Sequence, residues 1–171
     1  QPVSSALDAF EYGDIGKLTQ PDDMCPGSSL TQGHIAQAIG EQRAWFKLEV
    51  HDHLASTNSY MMKKLNEGLA HATCVAANLQ SNGRGRRGRN WQAGLGASLT
   101  FSLLWRFQCG ASALSGLSLA VGVALIRALH SLGISRAQLK WPNDVLILNS
   151  QQVPEKLAGI LIELQGDMEG P

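Results

Sequence analysis

The spacing of apolar and polar positions changes along this chain, and each change marks a boundary between predicted elements. Ser28-Ser29 offer hydroxyls that can cap a short helix running to about Ile39, and Gly40 closes it. Ala44 to Val50 is predicted as a strand. Thr57 to Glu67 reads as a helix with Ser56 or Thr57 at its cap and Gly68 just past its end. Thr73 to Leu79 is apolar and short, the pattern of a buried strand, and Ser98 to Trp105 is a second strand. Ala113 to Leu132 is apolar nearly all round but carries Ser115, Ser118, Arg127 and His130, which predicts a buried central helix rather than a membrane span. Gln138 to Trp141, Val145 to Leu148 and Leu157 to Leu164 are predicted strands, and Asn149 to Glu155 is the turn joining the last two as a hairpin.

Helices and strands in this order predict an α+β fold, with a mixed, largely antiparallel sheet packed with helices. Residues 1–27 show little periodicity and are expected to be a poorly ordered lead-in, leaving 28–171 as one domain. There is no internal repeat. The absence of GxGxxG and GxxxxGK[ST] removes support for a Rossmann or P-loop reading.

Charge changes this picture only locally. Lys plus Arg and Asp plus Glu are both 14, so no global basic field drives non-specific nucleic-acid binding. Yet Gly83-Arg84-Gly85-Arg86-Arg87-Gly88-Arg89 concentrates basic charge and glycine directly after a predicted strand, and Trp91 follows. Glycine lets backbone approach a ligand closely. Arginine offers a planar fork of donors to phosphate or carboxylate, and tryptophan a flat apolar surface. By itself such a stretch is equally a solvated loop or a basic nucleic-acid tail. Cys25, Cys74 and Cys109 lack metal-ligand spacing and suit reduced thiols in a cytosol, and the chain's start has no signal-peptide pattern.

Three further polar clusters fall at element ends. Ser56-Thr57-Asn58 stands at a helix start, where free amides favour negative charge, although an ordinary cap has the same composition. Lys140-Trp141-Pro142-Asn143-Asp144 ends a strand in a proline-forced turn, where Asp144 could hold Mg²⁺ and Asn-Asp is also common turn composition. Lys156-Leu157-Ala158-Gly159-Ile160 opens the last predicted strand. His51 and His53 would share a strand face but lack an evident third ligand. Trp45, Trp105 and Trp141 read as core or pocket wall, and Met61 and Met62 as core.

In this order and approximate spacing, the four clusters resemble the catalytic domain of biotin protein ligases, the biotin–[acetyl-CoA-carboxylase] ligases, over about residues 28–165. The resemblance implies a class II aminoacyl-tRNA synthetase-like fold and a two-step reaction. Biotin and ATP would give biotinyl-5′-AMP, and the biotinyl group would pass to a lysine of a biotin carboxyl carrier protein of acetyl-CoA carboxylase. Ser56, Thr57, Asn58 and Gln80 would line the biotin pocket, and Arg84, Gly85 and Arg86 would wrap carboxylate and adenylate phosphate. Arg89 would face the triphosphate and Trp91 the adenine. Lys156 matches the family's essential lysine at the adenylate. Lys140 and Asn143 would help hold phosphate, and Asp144 would hold Mg²⁺.

It further implies a cytoplasmic enzyme, no membrane, and a homodimer as an allowed assembly. Residues 1–27 are too short and polar for the winged helix-turn-helix of the family's DNA-binding members, so no DNA partner is expected. The family's catalytic domain normally continues past the Lys-Leu-Ala-Gly strand, so the chain is expected to be incomplete at its C-terminus. Two other readings stay open on sequence alone: a lipoate or octanoate ligase or transferase on the same fold, and a nucleic-acid-binding module built on the Arg/Gly stretch.

Overall fold

The computed structural model describes residues 29–94 and 96–166; the predicted lead-in over 1–27, with Cys25, and the cap at Ser28 lie outside them. The described residues fall into two compact units. One comprises 29–84 and Asn90–Arg106, the other Gly85–Arg89 and 107–166.

In the first unit, helix α1 spans Gln32–Ile39, and its cap is Thr31 rather than the serines before it. The Thr31 hydroxyl accepts from the His34 amide at 3.1 Å. Gly40 ends the helix at φ 56, a conformation open to glycine, and a 3₁₀ turn follows over Gly40–Trp45. That turn displaces the first strand, expected from Ala44. Strand β1 is Lys47–Leu54, and it runs on through His51-Asp52-His53. It can do so because it lies at a sheet edge, paired in parallel with strand β2, Thr73–Gln80, from Lys47↔Thr73 to Leu54↔Gln80. β2 is the central strand and supplies the core residues Val75, Ala76 and Ala77, which explains its continuous apolar run. Helix α2, Thr57–Leu65, connects them and buries Met61.

The β2 strand ends in a small ladder. Strands β3, Gly83–Arg84, and β4, Asn90–Trp91, pair antiparallel as Gly83↔Trp91 and Arg84↔Asn90. A Cβ on Gly83 would collide with the Trp91 carbonyl oxygen, so this position needs glycine for close approach. Strand β5, Thr100–Leu103, pairs antiparallel with β2 and is shorter at both ends than the apolar run suggested.

The second unit holds helix α3, Leu117–Ser131, and an antiparallel meander of β6 (Ala137–Lys140), β7 (Asp144–Leu148) and β8 (Pro154–Gly159). β8 begins and ends earlier than the predicted Leu157 to Leu164. The Asn149 side-chain oxygen accepts from the amides of Gln151 at 3.0 Å and Val153 at 2.9 Å, closing the turn early. α3 sits on β6 where Gly122 meets Leu139. It is not the buried central helix that its composition predicted. Of its residues only Gly122 is buried, and Leu119, Val121 and Val123 are exposed. By length and composition alone Ala111–Ser131 is apolar enough to cross a membrane. Within this unit it is tied to the meander by the Ser118 hydroxyl, which donates to the Pro142 carbonyl at 2.9 Å.

The α+β class and the mixed strand pairing agree with the sequence. Among the described residues the strands are distributed over two three-stranded sheets and the two-stranded ladder.

Candidate functional site

In the first unit the polar residues gather where α2 begins. Ser56 is its N-cap in extended conformation, and its hydroxyl accepts from the Ser59 amide at 3.3 Å, so this serine does cap the helix. The next amide is satisfied by a distant side chain. Thr57 N–H donates to Gln80 Oε1 at 2.7 Å, and its hydroxyl donates to the same oxygen at 3.1 Å. The Thr57 hydroxyl also lies 2.9 Å from Ser102 Oγ. Ser56 and Thr57 are buried, an unusual place for two hydroxyls unless each is hydrogen-bonded.

Thus the structure brings Ser56, Thr57 and Gln80 together, and Asn58 follows on the same helical turn. Ser102 joins them without having been predicted. Its signal was the alternation Thr100, Ser102 along β5, which sets polar groups against apolar Phe101 and Leu103. Arg84 reaches toward the same helix, with Nη1 3.5 Å from Ser59 Oγ, at the outer limit for a hydrogen bond. Trp91 is half-buried beside Gly83 on the ladder.

The second unit contains the other cluster. Gly85–Arg89 is a tight turn: Gly85 N–H donates to the Arg89 carbonyl at 2.7 Å, with a 3₁₀ turn over Arg86–Gly88 between them. Arg87 (φ 57) and Gly88 (φ 70) are both left-handed; glycine takes that conformation freely, arginine does not. Arg86 Nη1 donates to Asn143 Oδ1 at 3.1 Å.

Asn143 is anchored in turn by β8: its Nδ2 donates to the Ile160 carbonyl at 3.1 Å, and its own carbonyl accepts from Ile160 N–H at 2.8 Å. The preceding Trp141–Pro142 bond is cis. Asp144 Oδ1 lies 2.7 Å from Lys156 Nζ, and on the opposite strand Asp144 pairs with Lys140. Lys140, Asn143, Asp144, Lys156 and Arg86 therefore belong to one neighbourhood of this unit. Arg89 closes the base of the same turn through its carbonyl.

This arrangement bears on the expected magnesium site. A carboxylate already ion-paired to Lys156, with Lys140 as its cross-strand neighbour, does not fit a divalent cation's ligand. Among the described residues no three His, Cys, Asp or Glu side chains gather as a metal site. The ring of His51 leans on Tyr60, with centroids 4.9 Å apart. Trp45, Trp105 and Trp141, read from sequence as core or pocket wall, are all exposed. Trp105 meets His71 edge-on, with ring centroids 4.5 Å apart.

Chemically, the first cluster offers hydroxyls, an amide and a helix start within a buried setting, suited to a small polar ligand. The second brings Arg86, Lys140 and Lys156 together around Asn143 and Asp144, a set of cations suited to phosphate.

The chain is similar to known proteins over most of its length. The profile of the Biotin/lipoate A/B protein ligase family matches residues 50–169. The bifunctional ligase/repressor BirA of Salmonella typhimurium is 43% identical over 111 residues, 65% of this chain and 33% of the relative. The biotin–[acetyl-CoA-carboxylase] ligase of Paracoccus denitrificans is 41% identical over 117 residues, 67% of this chain and 46% of that protein. This chain thus spans a third to a half of the length of these relatives. Among solved structures, the Helicobacter pylori biotin acetyl coenzyme A carboxylase synthetase with bound biotinylated ATP superposes with a TM-score of 0.60 at 32% identity, covering 70% of this chain and 56% of that one. The Aquifex aeolicus biotin protein ligase in complex with biotin and ATP gives a TM-score of 0.56 at 30% identity, covering 71% of this chain and 48% of that one.

Proposed function

The chain belongs to the biotin/lipoate A/B protein ligase family, and from that premise we propose that it activates biotin with ATP and transfers it to protein. A biotin carboxylate oxygen attacks the α-phosphorus of ATP, the bond to the β-phosphate oxygen breaks, and pyrophosphate leaves. An acceptor lysine amine then attacks the acyl carbon of biotinyl-5′-AMP, forming an amide and releasing AMP and a proton. The acceptor is a biotin carboxyl carrier protein of acetyl-CoA carboxylase. The reaction takes place in the cytoplasm, and a homodimer is compatible with it.

The observation that carries this reading is the cation-bearing turn. Arg86 is held by Asn143 at 3.1 Å and Lys156 by Asp144 at 2.7 Å, both beside the strand that carries Lys140. Joining a carboxylate to a triphosphate brings two anions together, and charge accumulates at the α-phosphate in the transition state. Cations fixed before the reaction stabilise that charge without reorganising. Lys156, Arg86 and Lys140 are the catalytic candidates, with Asn143, Arg89 and Trp91 on the nucleotide. Ser56, Thr57, Asn58 and Gln80 offer hydrogen bonds to a biotin-sized polar group, with Arg84 and Gly85 at its carboxylate. Magnesium enters as the counter-ion of the ATP substrate, not on a protein cage.

Biotin-dependent pyrophosphate release, and calorimetry with biotin alone and with ATP, test the reading. Release that requires biotin and is lost in Lys156→Ala supports it. Arg86→Gly should still form the adenylate but let it escape. A folded sample that binds lipoate and not biotin would establish the lipoyl alternative, and steeply salt-dependent oligonucleotide binding without biotin binding would favour a nucleic-acid module.

A further inference from the structure

We propose that Asp144 is the positioning residue of Lys156: its carboxylate fixes the ammonium that receives the anionic ligand, and it is not the ligand of a metal ion. This rests on the assignment of Lys156 to the adenylate given above.

The backbone shows how the pair is made. On β7 and β8, Asp144 faces Gly159 and Val145 faces Ala158. An uninterrupted ladder would then place Leu146 opposite Leu157, and Lys156 opposite Ile147, on the other face of the sheet from Asp144. Instead a bulge between Val145 and Leu146 shifts the register, so that Leu146 faces Lys156 and Ile147 faces Glu155. Side chains two apart on a strand share a face, as do directly opposed residues. The single-residue slip therefore turns Lys156 onto the face of Asp144, and the Nζ–Oδ1 distance is 2.7 Å. Bulges commonly re-aim one side chain in this way.

The surroundings of Asp144 suit this role. It stands on the central strand of the meander with Lys140 opposite on β6 and the side-chain-free Gly159 opposite on β8, which leaves room for Lys156, opposite Leu146, to reach it diagonally. A lysine side chain is long and rich in rotamers, and Lys156 is partly exposed, 42% at its side chain. A single ion pair with its lysine end this exposed contributes only modestly to stability. Holding a cation in one place before an anion arrives is the use it has left. Asp144 is also less exposed than its partner, 27% at its side chain, so it is the steadier half of the pair.

The test combines binding with dynamics in the whole chain. An acyl-sulfamate analogue of biotinyl-adenylate, titrated without metal, should bind Asp144→Asn roughly tenfold more weakly, the scale of a lost charge-assisted bond. Asp144→Glu should recover part of that loss. In a Lys156→Met background, Asp144→Asn should cost nothing further, since the pair is already broken. Independently, ¹⁵N relaxation of the Lys156 ammonium in the ligand-free protein should show greater mobility in Asp144→Asn. Tighter analogue binding by Asp144→Asn would mean that the carboxylate merely repels the anion, and the proposal would be wrong. Unchanged ammonium mobility, or an equal loss in both backgrounds, would also overturn it. If the unmodified protein does not bind the analogue, the ligase reading fails instead, and the ammonium measurement still decides the role of Asp144.

Discussion

Gln80, the last residue of β2, accepts two hydrogen bonds from Thr57, at 2.7 Å from its backbone N–H and 3.1 Å from its hydroxyl. One side chain thus joins the end of a central strand to the first turn of the neighbouring helix, and Ser102 on β5 adds a third element through the same hydroxyl at 2.9 Å. The free amides at a helix start are usually offered to solvent, a cap or a ligand. Here Ser56 and Gln80 take up two of them, so the start of α2 is ordered by protein groups in the ligand-free chain.

Replacing Gln80 with alanine removes the acceptor of a buried amide. Thr57 is 4% exposed, so water cannot readily substitute. Such a loss costs about 1–3 kcal/mol. Urea unfolding of Gln80→Ala should show a destabilisation on that scale, whereas Gln80→Glu, which keeps an acceptor oxygen, should lose less. Equal stabilities for Gln80→Ala and the parent protein would show that Thr57 finds another acceptor at no cost.

What the sequence revealed and what it hid divide along physical lines. Ser56-Thr57-Asn58, the Arg/Gly stretch and the Lys-Trp-Pro-Asn-Asp turn are legible because each needs only local composition at an element end. The contacts between them are set by register, which no local pattern carries. Ser102 reaches Thr57 only because β5 pairs antiparallel with β2, and Lys156 reaches Asp144 only through the slip in the β7–β8 ladder. Composition also misled over α3: apolar residues record a preference for burial, but this helix buries only the face around Gly122. The first strand was misplaced for a related reason. An edge strand tolerates His51-Asp52-His53, which interrupts the apolar pattern without interrupting the hydrogen bonds to β2.

Gly83→Ala should disturb the foot of the Arg/Gly turn. The added methyl would meet the Trp91 carbonyl oxygen, a backbone atom that cannot swing aside, with the Gln80 amide nitrogen only 3.2 Å away. Overpacking of this kind costs about 1–3 kcal/mol. Its local effect should be faster amide hydrogen exchange over Gly83–Arg84 and Asn90–Trp91 than in the parent protein. Exchange confined to the parental rate would show that the ladder widens without strain.

Gly122→Ala sets two effects of similar size against each other. Alanine in a helix interior is favoured over glycine by about 1 kcal/mol. The new Cβ would stand 2.7 Å from Leu139 Cδ1 and 3.0 Å from its Cδ2, and 3.5 Å from Ile160 Cδ1, so both branches of the leucine would have to shift. The steric cost, about 1–3 kcal/mol, should win, and Gly122→Ala should be mildly destabilising. In a Leu139→Ala background the clash is gone, and the same substitution should raise stability by up to about 1 kcal/mol. Thermal unfolding of the four proteins in that cycle checks the sign change.

Tyr60 makes stability depend on alkaline pH. Burial, followed by its hydrogen bond to Glu49 Oε2 at 3.1 Å and that carboxylate's charge, raises the phenol above its ordinary value near 10, against a smaller opposing pull from Lys64. A raised value means that the folded chain keeps this proton at a pH where the unfolded chain has begun to lose it. The contribution of Tyr60 is therefore fully present below the ordinary tyrosine range and declines as pH rises through it toward the folded-state value. Urea unfolding followed from about pH 9 to about pH 11.5 should show Tyr60→Phe losing less stability than the parent over that window. Glu49→Gln should flatten the dependence partly, because it removes the charge but leaves the burial. A Tyr60→Phe curve parallel to the parent throughout would show that the ring carries no such shift.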